Sequence, residues 1–185
     1  MVFSRNRAWI VTNSGRKLSL LDPQPDDILI EDICHSLSRQ CRYVGNCSEY
    51  YSVAEHTVRG SFVIDESLAG EFFGHDFSEM LLGDMSFPLR EMIEELSGEI
   101  REWFCHVEKV FAEAFGLKYP FIREIKDTDM IMGATERRDL TKYDLYLRKN
   151  KMSPLNDKIM PWGIEAAEYK FMNRYYSLYA EGLIL

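Results

Sequence analysis

Dithiol chemistry is missing from this sequence. Its four cysteines, Cys34, Cys41, Cys47 and Cys105, form no C-x-x-C pair and no framework of the kind that staples a tiny secreted domain. They read as reduced, mostly buried thiols of an intracellular protein. Asn46-Cys47-Ser48 fits a glycosylation acceptor, but the N-terminus has no signal-peptide pattern to go with it. No apolar run is long enough to span a bilayer, so a membrane is not an expected partner. Positive charge is also short: 22 Lys and Arg face 30 Asp and Glu, a formal net charge of -8. A nucleic-acid polymer is therefore not expected as a partner, because no general basic surface exists to neutralise its phosphates. A small phosphorylated substrate needs only a local cluster of cations and stays open. There is no internal repeat and no low-complexity tract. What remains is a single domain over 1–185 in the cytoplasm, long enough to bury a core.

The pattern along the chain is helical apart from its start. Trp9-Ile10-Val11-Thr12 is β-prone, Asn13-Ser14-Gly15 has turn chemistry, and Leu18 and Leu20 alternate with polar residues. That predicts an N-terminal hairpin, which with its Pro-containing linker fills 1–26. Ile30, Ile33, Cys34 and Leu37 recur at helical spacing. Ser52-Val53-Ala54-Glu55 has the form of a capping box, so a helix is expected to begin there with His56 in its first turns. Asp65-Glu66-Ser67 opens the next helix. Pro88 is placed as the first residue of one long helix whose stripe runs from Leu89 through Trp103 to Phe111, with Gly116 as its stop. Ile122, Ile125, Met132 and Leu140 mark another helix, with Asp129 on the same side as Ile125 and Met132. A polar loop is expected over 149–161 and a closing amphipathic helix over 162–182. The fold class is all-α, a helical bundle with a small N-terminal β-hairpin.

Four polar residues stand out against this apolar pattern. His75 and Asp76 adjoin in a segment that reads as helix, after Leu68, Ala69, Phe72 and Phe73. Burying an imidazole and a carboxylate side by side is costly without a partner, and a divalent metal satisfies both at once. His56 and Asp129 lie among apolar residues of two further helices, which a bundle would turn toward one interior site. Two imidazoles and two carboxylates suit one Co, Mn, Zn, Ni or Fe ion per chain; magnesium fits that donor set less well. Glu79 follows His75 by four residues and so is expected on the same helical face. A carboxylate beside a metal, yet free of it, suits acid/base work. His35 and His106 are read as structural.

The order His56, then His75-Asp76, then Asp129 resembles the HD-domain metal-dependent phosphohydrolase superfamily. More narrowly, the sequence is similar to its small nucleotidase branch: bacterial 5′-deoxynucleotidases and phage-type dNTP and dATP triphosphohydrolases. The matching stretches are Ile30 to Arg39, Tyr51 to His56, His75 to Glu79, Gly83-Asp84, Pro88-Leu89-Arg90, Ile125 to Asp129 and Ala134 to Leu140. The resemblance implies that His56, His75, Asp76 and Asp129 hold the metal and that Glu79 is the acid/base carboxylate. It implies that Asp84 positions water or contacts the sugar 3′-hydroxyl; capping the turn after Gly83 is its plainer role. Arg42, Arg90 and Lys126 would neutralise phosphate oxygens, although Arg42 and Arg90 also read as ordinary surface charges. Tyr43 and Pro88 would flank the base or sugar. Tyr43 stands where related enzymes often have Trp, which bears on base selectivity.

The expected function is hydrolysis of a phosphate ester bond in a small-molecule deoxynucleotide. Three cations favour a dNTP triphosphohydrolase, and the resemblance points to dATP. A 5′-deoxynucleotidase acting on dNMPs uses the same chemistry. Two other classes remain beside it: a non-catalytic nucleotide-binding regulator, against which Glu79 counts, and a two-iron oxygenase, for which the unused histidines are few. A homo-oligomer is expected from aromatic residues such as Trp103, Tyr175, Tyr176 and Tyr179. If the chain is phage-encoded, the compartment is the cytoplasm of a bacterial host.

Overall fold

A computed structural model describes residues 8–142 and 152–185. The first three residues of the expected 149–161 loop, like residues 1–7 of the N-terminal segment, lie outside that range.

Strands β1 (Trp9–Val11) and β2 (Lys17–Ser19) pair antiparallel, with Ile10 opposite Leu18. The turn between them is closed by Thr12 and Arg16, and Gly15 takes the left-handed conformation that a side chain would resist. Alternation sends Leu18 fully into the core. Apart from an isolated antiparallel bridge between Cys41 and Ser52, all other regular structure among the described residues is helical: α1 (Ile30–Leu37), α2 (Val53–Gly60), α3 (Ala69–Gly74), α4 (Glu79–Leu82), α5 (Phe87–Leu96), α6 (Gly98–Ala114), α7 (Arg123–Leu140) and α8 (Ile164–Ala180), with short 3-10 turns between them. The chain is thus mostly helical with a small two-stranded N-terminal sheet. No helix among the described residues is long and apolar enough to cross a membrane.

Helix α2 sits centrally, packed on α1, α3, α7 and α8. The Ser52 hydroxyl caps it by accepting from the Glu55 N–H at 3.0 Å. Only half of the expected capping box forms. Glu55 turns inward and is fully buried, and its carboxylate accepts from Arg59 and from the Trp162 backbone N–H, both at 2.8 Å. Beside α2 the aromatic core closes: Phe73 and Phe171 are 4.6 Å apart, and Phe77 meets the edge of Phe115 at 5.1 Å.

Two expectations are corrected. The long helix from Pro88 to Gly116 is two helices, α5 and α6, broken at Ser97. That residue is extended (φ -150°, ψ 112°), and its hydroxyl caps α6 by accepting from Ile100 N–H at 3.4 Å. Serine is a strong N-cap and the following Gly98 costs a continuing helix about 1 kcal/mol, so the polar pair breaks a stripe that looks continuous. The stripe divides accordingly: Phe104, Val107, Val110 and Phe111 of α6 are buried, whereas no residue of α5 is. Trp103 is half-buried, and its indole N–H donates to the Leu20 carbonyl at 2.8 Å, which gives it an intrachain role.

The His-Asp pair is also not inside a helix. Helix α3 ends at Gly74, and His75 is its C-cap. The His75 Nδ1 atom, 2.5 Å from the Phe72 carbonyl, satisfies one of the oxygens that a helix end leaves unpaired. Glu79 therefore reaches the same region through a turn: its backbone N–H donates to the Asp76 carbonyl at 2.9 Å as α4 begins.

The C-terminal tail closes the molecule, with Leu185 N–H donating to the Phe115 carbonyl at 2.9 Å. A Cβ on Gly70 would lie 1.9 Å from the Leu183 carbonyl oxygen, a backbone atom that cannot rotate away. Gly70→Ala is expected to destabilise the fold by about 1–3 kcal/mol, read as a lower urea midpoint. Gly98→Ala, where the added carbon meets open space, should be neutral or better in the same measurement.

Candidate metal centre

Three elements bring His56, His75 and Asp129 together: the first turns of α2, the C-cap of α3 and the middle of α7. One donor atom from each lies within 4.8 Å of the other two, so this cluster could hold a metal ion. His56 Nε2 is 3.2 Å from Asp129 Oδ1. Asp76 adjoins the triad, with oxygens 3.7 Å from His56 Nε2 and 3.2 Å from His75 Nε2.

The tautomers follow from the partners. His56 Nδ1 is 2.6 Å from Glu136 Oε1, and His75 Nδ1 faces a backbone carbonyl. Both partners accept only, so each Nδ1 carries a proton and each Nε2 is the nitrogen left to hold either a proton or a metal. Both Nε2 atoms are buried and make no hydrogen bond. Two orphaned imidazole nitrogens aimed at carboxylates fit a cation, or a proton in its place, and a carboxylate or carbonyl behind each histidine is the usual support of a metal-binding imidazole. Burial disfavours charge on His56 and Arg42 repels it, yet Glu136 and Asp129 outweigh both and raise its pKa to about 9. Burial likewise opposes the charge of Asp129, but the close approach of His56, with His75 and Arg42 nearby, holds its pKa well below the ordinary range. The field at this point favours positive charge.

Protein stripped with EDTA and then given Co or Mn at about a hundredfold over the dissociation constant should gain roughly 5–10 °C in Tm. Asp129→Ala should lose that gain in the same melting experiment.

The remaining candidates fall into place unevenly. Glu79 is largely enclosed with its Oε2 unpaired; burial, then repulsion from Asp76, pushes its pKa well above the usual carboxylate value. It lines a cavity of about 40 Å³ together with His75, Asp76, Arg90 and Glu108. That space suits a water molecule or an ion. Arg42 does not project freely as a phosphate ligand. Its guanidinium is buried among carboxylates, 3.2 Å from Glu136, 3.4 Å from Asp76 and 4.0 Å from Asp129. Arg90 lines the cavity but donates to Glu94 at 2.8 Å and Glu108 at 2.5 Å. Lys126 is exposed on α7, one turn before Asp129. The expected trio of free cations is therefore not gathered: charged neighbours claim the first two and solvent surrounds the third.

Asp84 is partly buried, which raises its pKa. Its backbone N–H donates to Gln40 Oε1 at 3.0 Å, and its carboxylate accepts weakly from Val44 N–H at 3.4 Å. The Tyr43 hydroxyl donates to Glu136 at 2.8 Å, so it is tied to the site's interior. Pro88 is exposed in the first turn of α5 and outside the cavity lining, because α5 stands off the core. His35, read as structural, faces Glu168 of α8 at 3.5 Å. His106, also read as structural, is exposed on α6, 3.7 Å from Asp22.

No family model matches the chain. It is 35% identical over 133 residues to the uncharacterized protein YfdR of Escherichia coli K12, a match covering 72% of each chain. It is also 35% identical over 147 residues to the uncharacterized protein RCAP_rcc00048 of Rhodobacter capsulatus, covering 74% of this chain and 75% of that one. The chain belongs to the family of these proteins.

In this member of the YfdR family, the residue that sequence reasoning missed is Glu136. It is fully buried and accepts from His56, Tyr43 and Arg42, while burial is outweighed by Arg42 and His56 so that its pKa falls to about 2. Its spacing gave a signal: Glu136 follows Asp129 by seven residues, two turns along the same face of α7. Above it, Tyr43, Val44 and Gly45 all have positive φ (58°, 54° and 76°). Such a conformation is strained for β-branched Val44 and is found most often where function holds it in place.

Proposed function

We infer that this chain is an HD-type metal-dependent phosphohydrolase acting on deoxynucleotides. The observation that carries the reading is the pair of buried, orphaned Nε2 atoms of His56 and His75 facing Asp129 and Asp76, each with its tautomer fixed from behind. His56, His75 and Asp129 would hold the ion, with Asp76 beside them, and their nitrogen and oxygen donors favour Co, Mn, Zn, Ni or Fe over Mg. When bound, such an ion supplies Lewis acidity toward a phosphoryl oxygen. Glu79, enclosed and biased toward its protonated form, would hand a proton to the departing 5′-oxygen as water adds to the α-phosphorus. Arg42 would exchange its contact with Asp76 for one with a phosphoryl oxygen of the substrate. The small cavity beside Glu79 has room only for a water molecule or an ion, so sugar and base would lie outside it, toward the strained Tyr43–Gly45 turn.

The products of a dNTP would be the deoxynucleoside and triphosphate. A specific observation favours the second reading, a 5′-deoxynucleotidase: Arg42 and Arg90 already face carboxylates, which leaves less free positive charge for a triphosphate. A homo-oligomer belongs to the proposal because α5 leaves Phe87, Leu89, Met92 and Leu96 exposed.

The test is incubation with each dNTP, dATP first, and each dNMP in the presence of Co, Mn or Mg, with phosphate, pyrophosphate and triphosphate measured separately. Triphosphate from a dNTP is the expected result, and phosphate from a dNMP supports the second reading. Metal binding without turnover of any deoxynucleotide would overturn both in favour of a regulatory binder.

A further inference from the structure

A second concavity lies across α2 from the metal centre, between the end of that helix and the outward face of α8. It has a volume of about 510 Å³ and is lined by Arg59, Lys170 and Arg174 together with Phe62, Trp162 and Tyr169. None of its lining residues is a carboxylate, although acidic residues outnumber basic ones by eight in the whole chain. Phe62 and Tyr169 are 68% and 70% exposed. Large aromatic surface left in water beside cations, two of them without an ion pair among the described residues, calls for a ligand that presents both a ring and negative charge.

The site is built on buried supports. Fully buried Glu55 fixes Arg59 and the Trp162 backbone, each at 2.8 Å. Buried Ser61 fixes Arg174, accepting from Nε at 2.9 Å through its hydroxyl and from Nη2 at 3.1 Å through its carbonyl. Cations and rings interleave: Arg59 and Lys170 lie 4.4 and 4.8 Å from the Trp162 ring centre, and Arg174 lies 4.1 Å from that of Phe62. Glu55 answers the charge of Arg59. Lys170 and Arg174 form no ion pair among the described residues; Glu66 and Glu181 are felt by Arg174 from outside the lining, and Glu181 is held by Ser177. Two uncompensated cations match one phosphate monoester, which carries -1.5 to -2 charges at neutral pH. The volume lies within the range of small-molecule pockets.

We propose that this cleft is a second binding site, for a nucleoside monophosphate or a similar aromatic phosphate. The phosphate lies between Lys170 and Arg174, and the ring lies along Tyr169 and Phe62. The site is independent of the metal centre.

The test is calorimetric titration of the full chain with AMP in EDTA, which keeps metal-dependent binding out. AMP should bind, and Lys170→Glu and Tyr169→Ala should each weaken it by tenfold or more. Both residues are exposed, and unchanged melting temperatures would confirm that the variants fold. Asp129→Asn, at the metal centre, should leave AMP binding unchanged. Failure of AMP to bind overturns the proposal, as does loss of binding in Asp129→Asn but not in Lys170→Glu. Equal binding of inorganic phosphate removes the aromatic half and overturns it as stated. Self-association of the chain that Lys170→Glu abolishes, without AMP binding, would make the cleft an interface instead. Loss of deoxynucleotide hydrolysis in Asp129→Asn tests the other reading, and neither result decides the other.

Discussion

Glu136→Ala is expected to lower the unfolding free energy by about 3–5 kcal/mol, the cost of removing one partner from a buried ionic group. The side chain has no exposure and three donors converge on it: His56 at 2.6 Å, Tyr43 at 2.8 Å and Arg42 at 3.2 Å. Alanine leaves all three facing a void. Arg42 keeps Asp76 at 3.4 Å, which places the loss nearer the lower figure. Against a typical total of about 5–15 kcal/mol this is a large fraction, and urea unfolding in EDTA measures it. Glu136→Gln separates structure from metal support. The amide keeps the volume and can still accept from His56 Nδ1, so the fold should survive. It loses the charge that makes the imidazole a strong donor, and metal affinity should fall about 10–100-fold in a competition titration. If the glutamine variant bound metal as tightly as the parent chain, Glu136 would be a core residue and not a support of His56.

That glutamate also marks the limit of what the sequence could disclose. The hairpin and the start of α2 were legible because turn and cap chemistry are local: Asn13 to Gly15 and Ser52 each act within a few residues. The meeting of His56, His75 and Asp129 was legible because polar residues in apolar surroundings need an interior partner. Glu136 was not singled out, because a glutamate in a helix with Arg137, Arg138 and Asp139 looks like part of a solvated face. Only the packing of α7 on α2 shows that this one turns inward. The same reasoning explains the cations. Sequence shows that Arg42 and Arg90 are charged, but Glu94, Glu108, Asp76 and Glu136 reach them from different distances along the chain. The continuous stripe from Leu89 to Phe111 concealed a break because hydrophobic spacing survives a change of direction. The dipeptide Ser97-Gly98 was the local signal, and it was outweighed by the apolar residues on either side.

Glu79→Gln carries the second large effect and bears directly on the chemistry. The parent carboxylate is enclosed beside Asp76, with one oxygen lacking any hydrogen bond, an arrangement that costs stability. A protein keeps such a group where the proton it holds is used. Glutamine has the same shape and removes the repulsion from Asp76, so the variant should be at least as stable as the parent and should bind metal equally well. It cannot exchange a proton, so hydrolysis of the preferred deoxynucleotide should fall by about 10²–10⁴-fold in kcat, the usual worth of positioned acid/base catalysis. Loss in kcat with KM little changed would mark an interaction made in the transition state. Asp76→Ala should behave differently: it removes a group beside both Nε2 atoms and should lose metal and turnover together. Rate measurements at saturating metal, paired with metal titrations on both variants, distinguish the two roles. A Glu79→Gln enzyme with a near-normal rate would leave the enclosed carboxylate without a part in proton transfer, and the acid would then have to be sought at Asp84, the other partly buried carboxyl group near Arg42 and Asp76.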